Sequence, residues 1–355
     1  MLFISKEFIF FFFPVIALAS IFILKIYNNI KIYKILLILA SFIFYGLWSF
    51  KFLLFFLSLI ILNYTATLYY KKIKIENYQL LIIFIIIINL FILFYFKYYN
   101  FLIENINQVF ELNFNFKNII LPLGISFIVF QQIGYLWTSI GSSRKVSLVE
   151  YLFFSLFFPQ IIAGPILIYD DVYYQFKRKF PNLNLLNIWK GTQIFFIGFF
   201  KKIFIADKLI PWVNLSFSTP VTEPTSIDFF VGLISYGLQL YFDFSAYSDM
   251  AIGLALIFGL KLPVNFLSPY KSQSISEFWT RWHITLNRFL ESLIYLPLAI
   301  KIRKFFSKNS LQDNLKIIFF TTLVTFFISG LWHGAGWNFI IWGLYHGFFV
   351  ACHRS

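Results

Sequence analysis

Two tracts set what this chain can fold into: FIFFFFPVIA, Phe8 to Ala17, and IIFIIIINLFILF, Ile82 to Phe94. Runs this apolar cannot be hidden from water by one small core, and about 20 such residues cross a bilayer as a helix. Further runs cover Phe8–Leu24, Ile35–Phe50, Phe52–Tyr69, Leu80–Phe96, Ile194–Ile210, Ile317–Trp332 and Trp337–Val350, with less regular ones at Ile119–Ile140, Tyr151–Ile168 and Phe229–Leu260. The last is long enough to turn back or to form two segments. Charged residues are 12% of the 355, against about 25% in soluble domains. The expectation is an all-α polytopic membrane protein of about nine to eleven segments, some re-entrant. No stretch reads as a separate soluble domain, so residues 1–355 read as one transmembrane domain.

The formal charge is +14. Its Lys and Arg residues cluster between apolar runs, which fits orientation in a membrane rather than nucleic-acid binding. Lys25, Lys31 and Lys34 follow the first run; Lys71, Lys72 and Lys74 follow the third. Two helices separate these clusters, which puts both on the cytoplasmic side and the N-terminus outside. KIRKFFSK, Lys301 to Lys308, reads as cytoplasmic too. DDVYYQFKRKFPNLN (Asp170 to Asn184) and STPVTEPTS (Ser218 to Ser226) read as loops outside the membrane. The first run lacks a small-residue cleavage site and reads as a retained helix. The single cysteine, Cys352, excludes an internal disulfide and a cysteine-rich metal site.

Several stretches are too polar for plain spans. LPLGISFIVFQQIGYLW carries Gln131 and Gln132, and FFPQIIAGPI, with Gln160, has two prolines and a glycine that break a helix. Asp243 and Asp249 lie in the apolar run Gly237 to Leu260; buried carboxylates need a partner or a task, and pairing with Lys or Arg is the plainer of the two. In SISEFWTRWHITLNRFL, Ser274 and Glu277 fit a capping box, and Glu277 and Arg281 are spaced to pair. Trp279, His283 and Asn287 follow at steps of four and share a face of that helix; Arg281 and Trp282 suit an interface or a cavity wall.

GLWHGAGWNFIIWGLYHG, Gly330 to Gly347, sets His333 among apolar and aromatic residues with Trp332 before it and Asn338 after it. An imidazole there is functional by default, whereas His283 alone reads as structural and His346 as no more than even. Gly334 and Gly336 leave room beside His333 for a substrate or a neighbouring backbone. No third ligand is spaced to complete a metal site with His283 and His333. No Walker loop, nucleophile elbow or dinucleotide motif occurs. What remains is a buried histidine acting as general base on a hydroxyl or thiol. A transporter or flippase with a polar pathway stays open at this point.

The stretches FKYYNF, LPLGISF, FFPQIIAGPI, FFKKIFIADKL, LQLYFDFSAYSDMAIG, LPVNFLSPY, SEFWTRWHITLNRFL and LWHGAGWNFIIWGLYHG occur in the order of a known family. The chain resembles the membrane-bound O-acyltransferase (MBOAT) family, in its bacterial branch with the alginate O-acetyltransferase membrane component. The resemblance implies an MBOAT-like bundle with a central tunnel in a bacterial inner membrane. It implies an acyl group, usually acetyl, taken from a cytoplasmic thioester (acetyl-CoA or an acyl carrier) with no tightly bound cofactor. The acceptor would be a cell-surface glycan such as alginate-like exopolysaccharide or peptidoglycan, often through an extracytoplasmic SGNH-type partner; D-alanyl transfer to teichoic acid is the related alternative. By resemblance His333 is the general base and His283 positions or polarises the acyl group, with Trp279, Arg281, Trp282, Asn287, Trp332, Asn338, Asp243, Asp249 and Gln160 near substrate or tunnel. The partners are then donor, glycan and membrane lipid, not nucleic acid. Relatives read RDYLYIPLGG where this chain has ESLIYLPLAI (Glu291 to Ile300), and they continue with further helices beyond YHG.

The charge pattern makes a direct prediction. In a Cys352→Ser background, a cysteine at Lys72 reacts with an impermeant maleimide only in permeabilised cells, and one at Lys6 reacts on intact cells. The reverse pattern inverts the orientation.

Overall fold

The computed structural model describes residues 2–27, 29–142, 144–177, 184–217, 225–305 and 311–354, and among them every regular element is helical. The α-helices are α1 (Phe13–Ile26), α2 (Ile30–Gly46), α3 (Phe50–Thr67), α4 (Ile75–Phe110), α5 (Ile125–Ser139), α6 (Leu148–Leu156), α7 (Tyr169–Lys177) and α8 (Leu185–Phe200). They continue with α9 (Asp207–Phe217), α10 (Ser226–Ile257), α11 (Ile275–Arg281), α12 (Ile284–Leu290), α13 (Leu296–Phe305), α14 (Leu311–His333) and α15 (Trp337–Arg354). Five described helical segments are long and apolar enough to cross a membrane: Phe8–Ile26, Phe50–Thr67, Ile75–Phe110, Ser226–Ile257 and Gln312–His333. Their large apolar side chains are widely exposed, as Phe91 (68%) and Leu18 (68%) show. Only a hydrocarbon solvent makes such surfaces favourable.

The chain forms two compact units. The first comprises Met1–Phe50, Leu152–Pro165 and Val172–Asn265. Its core is a stack of phenylalanines: Phe8 lies against Phe3, Phe12, Phe44, Phe158 and Phe195, with centroids 5.1 to 6.4 Å apart. Offset and edge-on ring pairs add packing energy where burial from water cannot. Helices α8 and α10 touch through glycine: a Cβ on Gly253 would lie 2.5 Å from the Gly191 oxygen.

Helix α10 does not turn back or divide, as its length allowed. It runs 32 residues without interruption, opened by a Thr225–Asp228 capping box. Its carboxylates are neutralised where they stand: Lys201 reaches Asp249 at 2.6 Å and Lys202 reaches Asp243 at 2.8 Å. Both lysines lie on a π-helical turn, Lys201–Ala206, that follows α8. The expected span Ile194–Ile210 is therefore α8, this turn and the start of α9. Asp170 to Lys177, expected as loop, falls in α7. Two acidic residues favour the N-terminus of that helix, and Asp171 accepts the Ile168 amide at 3.2 Å. Residues 178–183 of that loop, most of Ser218 to Ser226, and the end of Lys301 to Lys308 lie outside the described residues.

The second unit comprises Lys51–Tyr151, Ile166–Asp171 and Phe266–Ser355. A buried polar knot joins α3, α4 and α5. Asn63 and Asn89 exchange amide hydrogen bonds at 3.1 and 2.9 Å, Asn63 reaches Gln132 at 3.2 Å, and Tyr151 donates to the same Gln132 oxygen. That accounts for Gln132 as structure rather than site. Helices α14 and α15 meet on glycines: a Cβ on Gly343 would fall 2.5 Å from the Phe326 oxygen and 3.1 Å from Gly330 Cα. Small residues let helices close by dispersion and polar contact where hydrophobic association is weak.

Gly343→Ala therefore forces α14 and α15 apart. It should lose about 1–3 kcal/mol, the usual cost of overpacking, read as a lower thermal unfolding midpoint in detergent. An unchanged midpoint would show that the two helices yield there without cost.

Candidate functional site

The expected face of Trp279, His283 and Asn287 on one helix is not formed. Helix α11 stops at Arg281, Trp282 is extended, and His283 takes φ 45°, ψ 51° before α12 begins. A left-handed conformation is costly for a residue with a Cβ, so something must hold it. Asn287 is one such restraint: its amide donates to the Trp279 carbonyl and, at 2.7 Å, to the Trp282 carbonyl. These acceptors are among those a helix C-terminus leaves unbonded. At the other end, Ser274 accepts the Glu277 amide at 3.1 Å, and Arg281 pairs with Glu277 at 2.6 Å as spaced. The Glu277 carboxylate accepts the Gln273 amide rather than that of Ser274, and this bond holds its pKa below the ordinary carboxylate value.

The break aims His283 into the second unit, where it is 1% exposed and lies between Phe127 and Phe266 at 6.4 and 6.3 Å. Its ring is 5.8 Å from Trp332, and Trp332 is 5.0 Å from His333, the last residue of α14. The two imidazoles are close enough to interact electrostatically. The ring contacts continue from His333 to Trp342 at 4.8 Å, to His346 at 4.9 Å and to Trp279 at 5.2 Å. Three histidines from α14, α15 and the α11–α12 break thus share one tryptophan-walled cluster. Among the described residues, buried Trp279 Nε1, Trp332 Nε1 and His346 Nδ1 have no hydrogen-bond partner. A polar atom left bare in an apolar interior costs about 1–3 kcal/mol, so three together are a local exception to the pairing of buried polar groups.

Space adjoins the cluster. A cavity of about 240 Å³ is lined by Trp279, Asn287, Glu291, Thr322, Phe326 and Arg354, among others, and the buried Thr322 hydroxyl also has no hydrogen-bond partner among the described residues. An apolar groove of about 780 Å³ runs along α4 past Phe91, Tyr98, Phe289 and Trp332.

The remaining expected residues stand elsewhere. Arg281 is spent on Glu277 and the Leu267 carbonyl, and Trp282 packs on Phe266 and Phe278 at 5.1 and 5.6 Å. Asn338 is exposed in the first turn of α15. Its oxygen lies 2.5 Å from where a Gly336 Cβ would be, and a Gly334 Cβ would strike the Phe339 ring. The two glycines therefore make room for the chain's own turn after His333. Asp243 and Asp249 belong to the first unit with their lysines. So does Gln160, buried in a turn where its carbonyl accepts the Gly164 amide at 3.0 Å.

Sequence reading missed Lys97. It lies in α4 and donates from Nζ to the Trp332 carbonyl, one residue before His333. The available signal was isolation: Lys97 is the sole cation between Lys74 and Lys117.

A family model described as MBOAT, membrane-bound O-acyltransferase family, matches residues 42–355. "Peptidoglycan O-acetyltransferase" of Helicobacter pylori is 38% identical, with all of this chain and 71% of that protein aligned. "Probable alginate O-acetylase AlgI" of Azotobacter vinelandii is 37% identical over all of this chain and 69% of its own length. "Teichoic acid D-alanyltransferase" of Bacillus subtilis is 28% identical over 67% of this chain and 60% of its own length.

The geometry predicts that Asn287→Leu bares two carbonyls at the break. Stability should fall by about 1–3 kcal/mol for each, measured by thermal unfolding of the purified protein. A wild-type midpoint would mean that other donors serve those carbonyls.

Proposed function

This chain belongs to the membrane-bound O-acyltransferase family, and on that premise we propose that it acetylates hydroxyls of a cell-surface polysaccharide. The donor is a cytoplasmic thioester, acetyl-CoA or an acyl carrier. The observation that carries the mechanism is the shared contact of His283 and His333 with one buried ring, Trp332. His333 takes the proton of the attacking hydroxyl, which is a weak nucleophile until it is relieved of it. His283 orients or polarises the acyl carbonyl. The aromatic wall keeps out water that would hydrolyse the thioester. The cavity behind Trp279 and Thr322 offers unspent donors to the amides of the thioester's arm.

Acetyl rather than D-alanyl transfer is supported by the higher identity, over the whole chain, to proteins named for acetylation. Peptidoglycan and an alginate-like exopolysaccharide are the acceptors those names suggest. We place the enzyme in a bacterial inner membrane with its N-terminus extracytoplasmic. An SGNH-type partner on that side completes transfer to the glycan.

His333→Ala should cut glycan acetylation by about 10²–10⁴-fold, the range for general-base removal, while the protein still inserts at wild-type level. Mass spectrometry of released surface glycans measures it. Persistent acetylation would remove His333 from the role of base. Thioester cleavage by purified protein separates this enzyme from a transporter, which moves its substrate without acyl transfer.

A further inference from the structure

Lys97 closes the apolar run Leu80 to Phe96 of α4. A lysine in such a place ordinarily snorkels, extending its stem so that the ammonium reaches water. This one is spent inward. Its Nζ donates to the Trp332 carbonyl and stands 5.8 Å from the centroid of the Trp332 ring. That carbonyl belongs to the last turn of α14, where acceptors lack intrahelical partners and the helix dipole favours a cation. Among the described residues Lys97 makes no other hydrogen bond and no ion pair, so two of its three donors are unspent. His333 lies within electrostatic reach of it. A cation without a carboxylate partner, beside a base, has not been placed there for stability alone.

We propose that Lys97 is a catalytic residue, whose ammonium stabilises the oxyanion formed on the acyl carbonyl when the acceptor hydroxyl attacks. The inference rests on the acyl-transfer reading above. In the first half-step the hydroxyl oxygen bonds to the carbonyl carbon, His333 receives the hydroxyl proton, and the carbonyl π pair moves to oxygen beside Lys97. In the second the pair returns, the carbon–sulfur bond breaks with its electrons going to sulfur, and His333 hands the proton to the thiolate. Ester and thiol are the products, and charge balances without an outside reagent. Bonding to the Trp332 carbonyl fixes Lys97 relative to the end of α14, so the ammonium needs no rearrangement as charge develops.

The test compares Lys97→Met, which removes both donor and charge, with Lys97→Gln, which keeps a donor for the Trp332 carbonyl but no charge. Full-length protein in nanodiscs, with its SGNH-type partner present, is assayed with acetyl-CoA and a soluble glycan acceptor, beside His333→Ala. Both Lys97 variants should lose about 10²–10³ in kcat with the donor KM within about threefold of wild type, as for removal of one oxyanion donor. Lys97→Gln should also unfold at the wild-type temperature. Wild-type kcat in Lys97→Gln, or a loss of kcat no larger than its loss of folded protein, overturns the proposal. If the wild-type protein transfers no acetyl group, the acyl-transfer reading fails instead, whatever the Lys97 variants do; if only His333→Ala keeps its acetylation, His333 loses the role of base and the Lys97 result stands on its own.

Discussion

The Asn287 amide donates to two carbonyls at the end of α11, those of Trp279 and Trp282. In a dry interior a helix cannot simply stop, because every carbonyl it releases must find a donor. With Asn287 serving Trp279 and Trp282, the chain can leave α11, place His283 in the left-handed region and start α12. The side chain of His283 then points into the aromatic cluster instead of along a helix face. The contacts that bring it to Trp332, and so to His333, depend on that break.

The same rule governs polarity in both units. Polar side chains come in sets that satisfy one another: Asn63, Asn89, Gln132 and Tyr151 buried in one unit, and the partly exposed pairs Lys201 with Asp249 and Lys202 with Asp243 in the other. Against that background the bare Nε1 of Trp279 and Trp332 and the bare Nδ1 of His346 are exceptions, and they sit together. The rule is relaxed where His283 and His333 both meet Trp332.

The apolar runs were legible because hydrophobicity is additive along the chain. The broken helix at FFPQIIAGPI was legible from proline, and the Glu277–Arg281 pair from spacing. Spacing misled at His283, because four-residue periodicity assumes a continuous helix and one asparagine eight residues after Trp279 can end it. Asp243 and Asp249 look exceptional in sequence since their lysines lie more than forty residues away. Lys97 was invisible for the opposite reason: a lysine at the end of an apolar run is ordinary, and only its direction is not. The family's order of motifs marked His283 and His333, but neither composition nor period could say that Trp332 joins them.

Helix α4 has 36 residues, a length of about 54 Å at 1.5 Å per residue. A hydrocarbon core of about 30 Å cannot contain it, and tilting of the usual extent does not absorb the difference. Its polar far end stands in the headgroup layer and beyond, where Asn100 and Asn107 tie the following strand-like segment back through Lys117 and Phe114, and Asn105 accepts from Trp337. Lys97 comes at the boundary between the apolar and polar halves. On the proposed function the helix becomes a depth gauge: Lys97, and the Trp332 carbonyl it binds, stand at the end of the apolar run rather than at its middle.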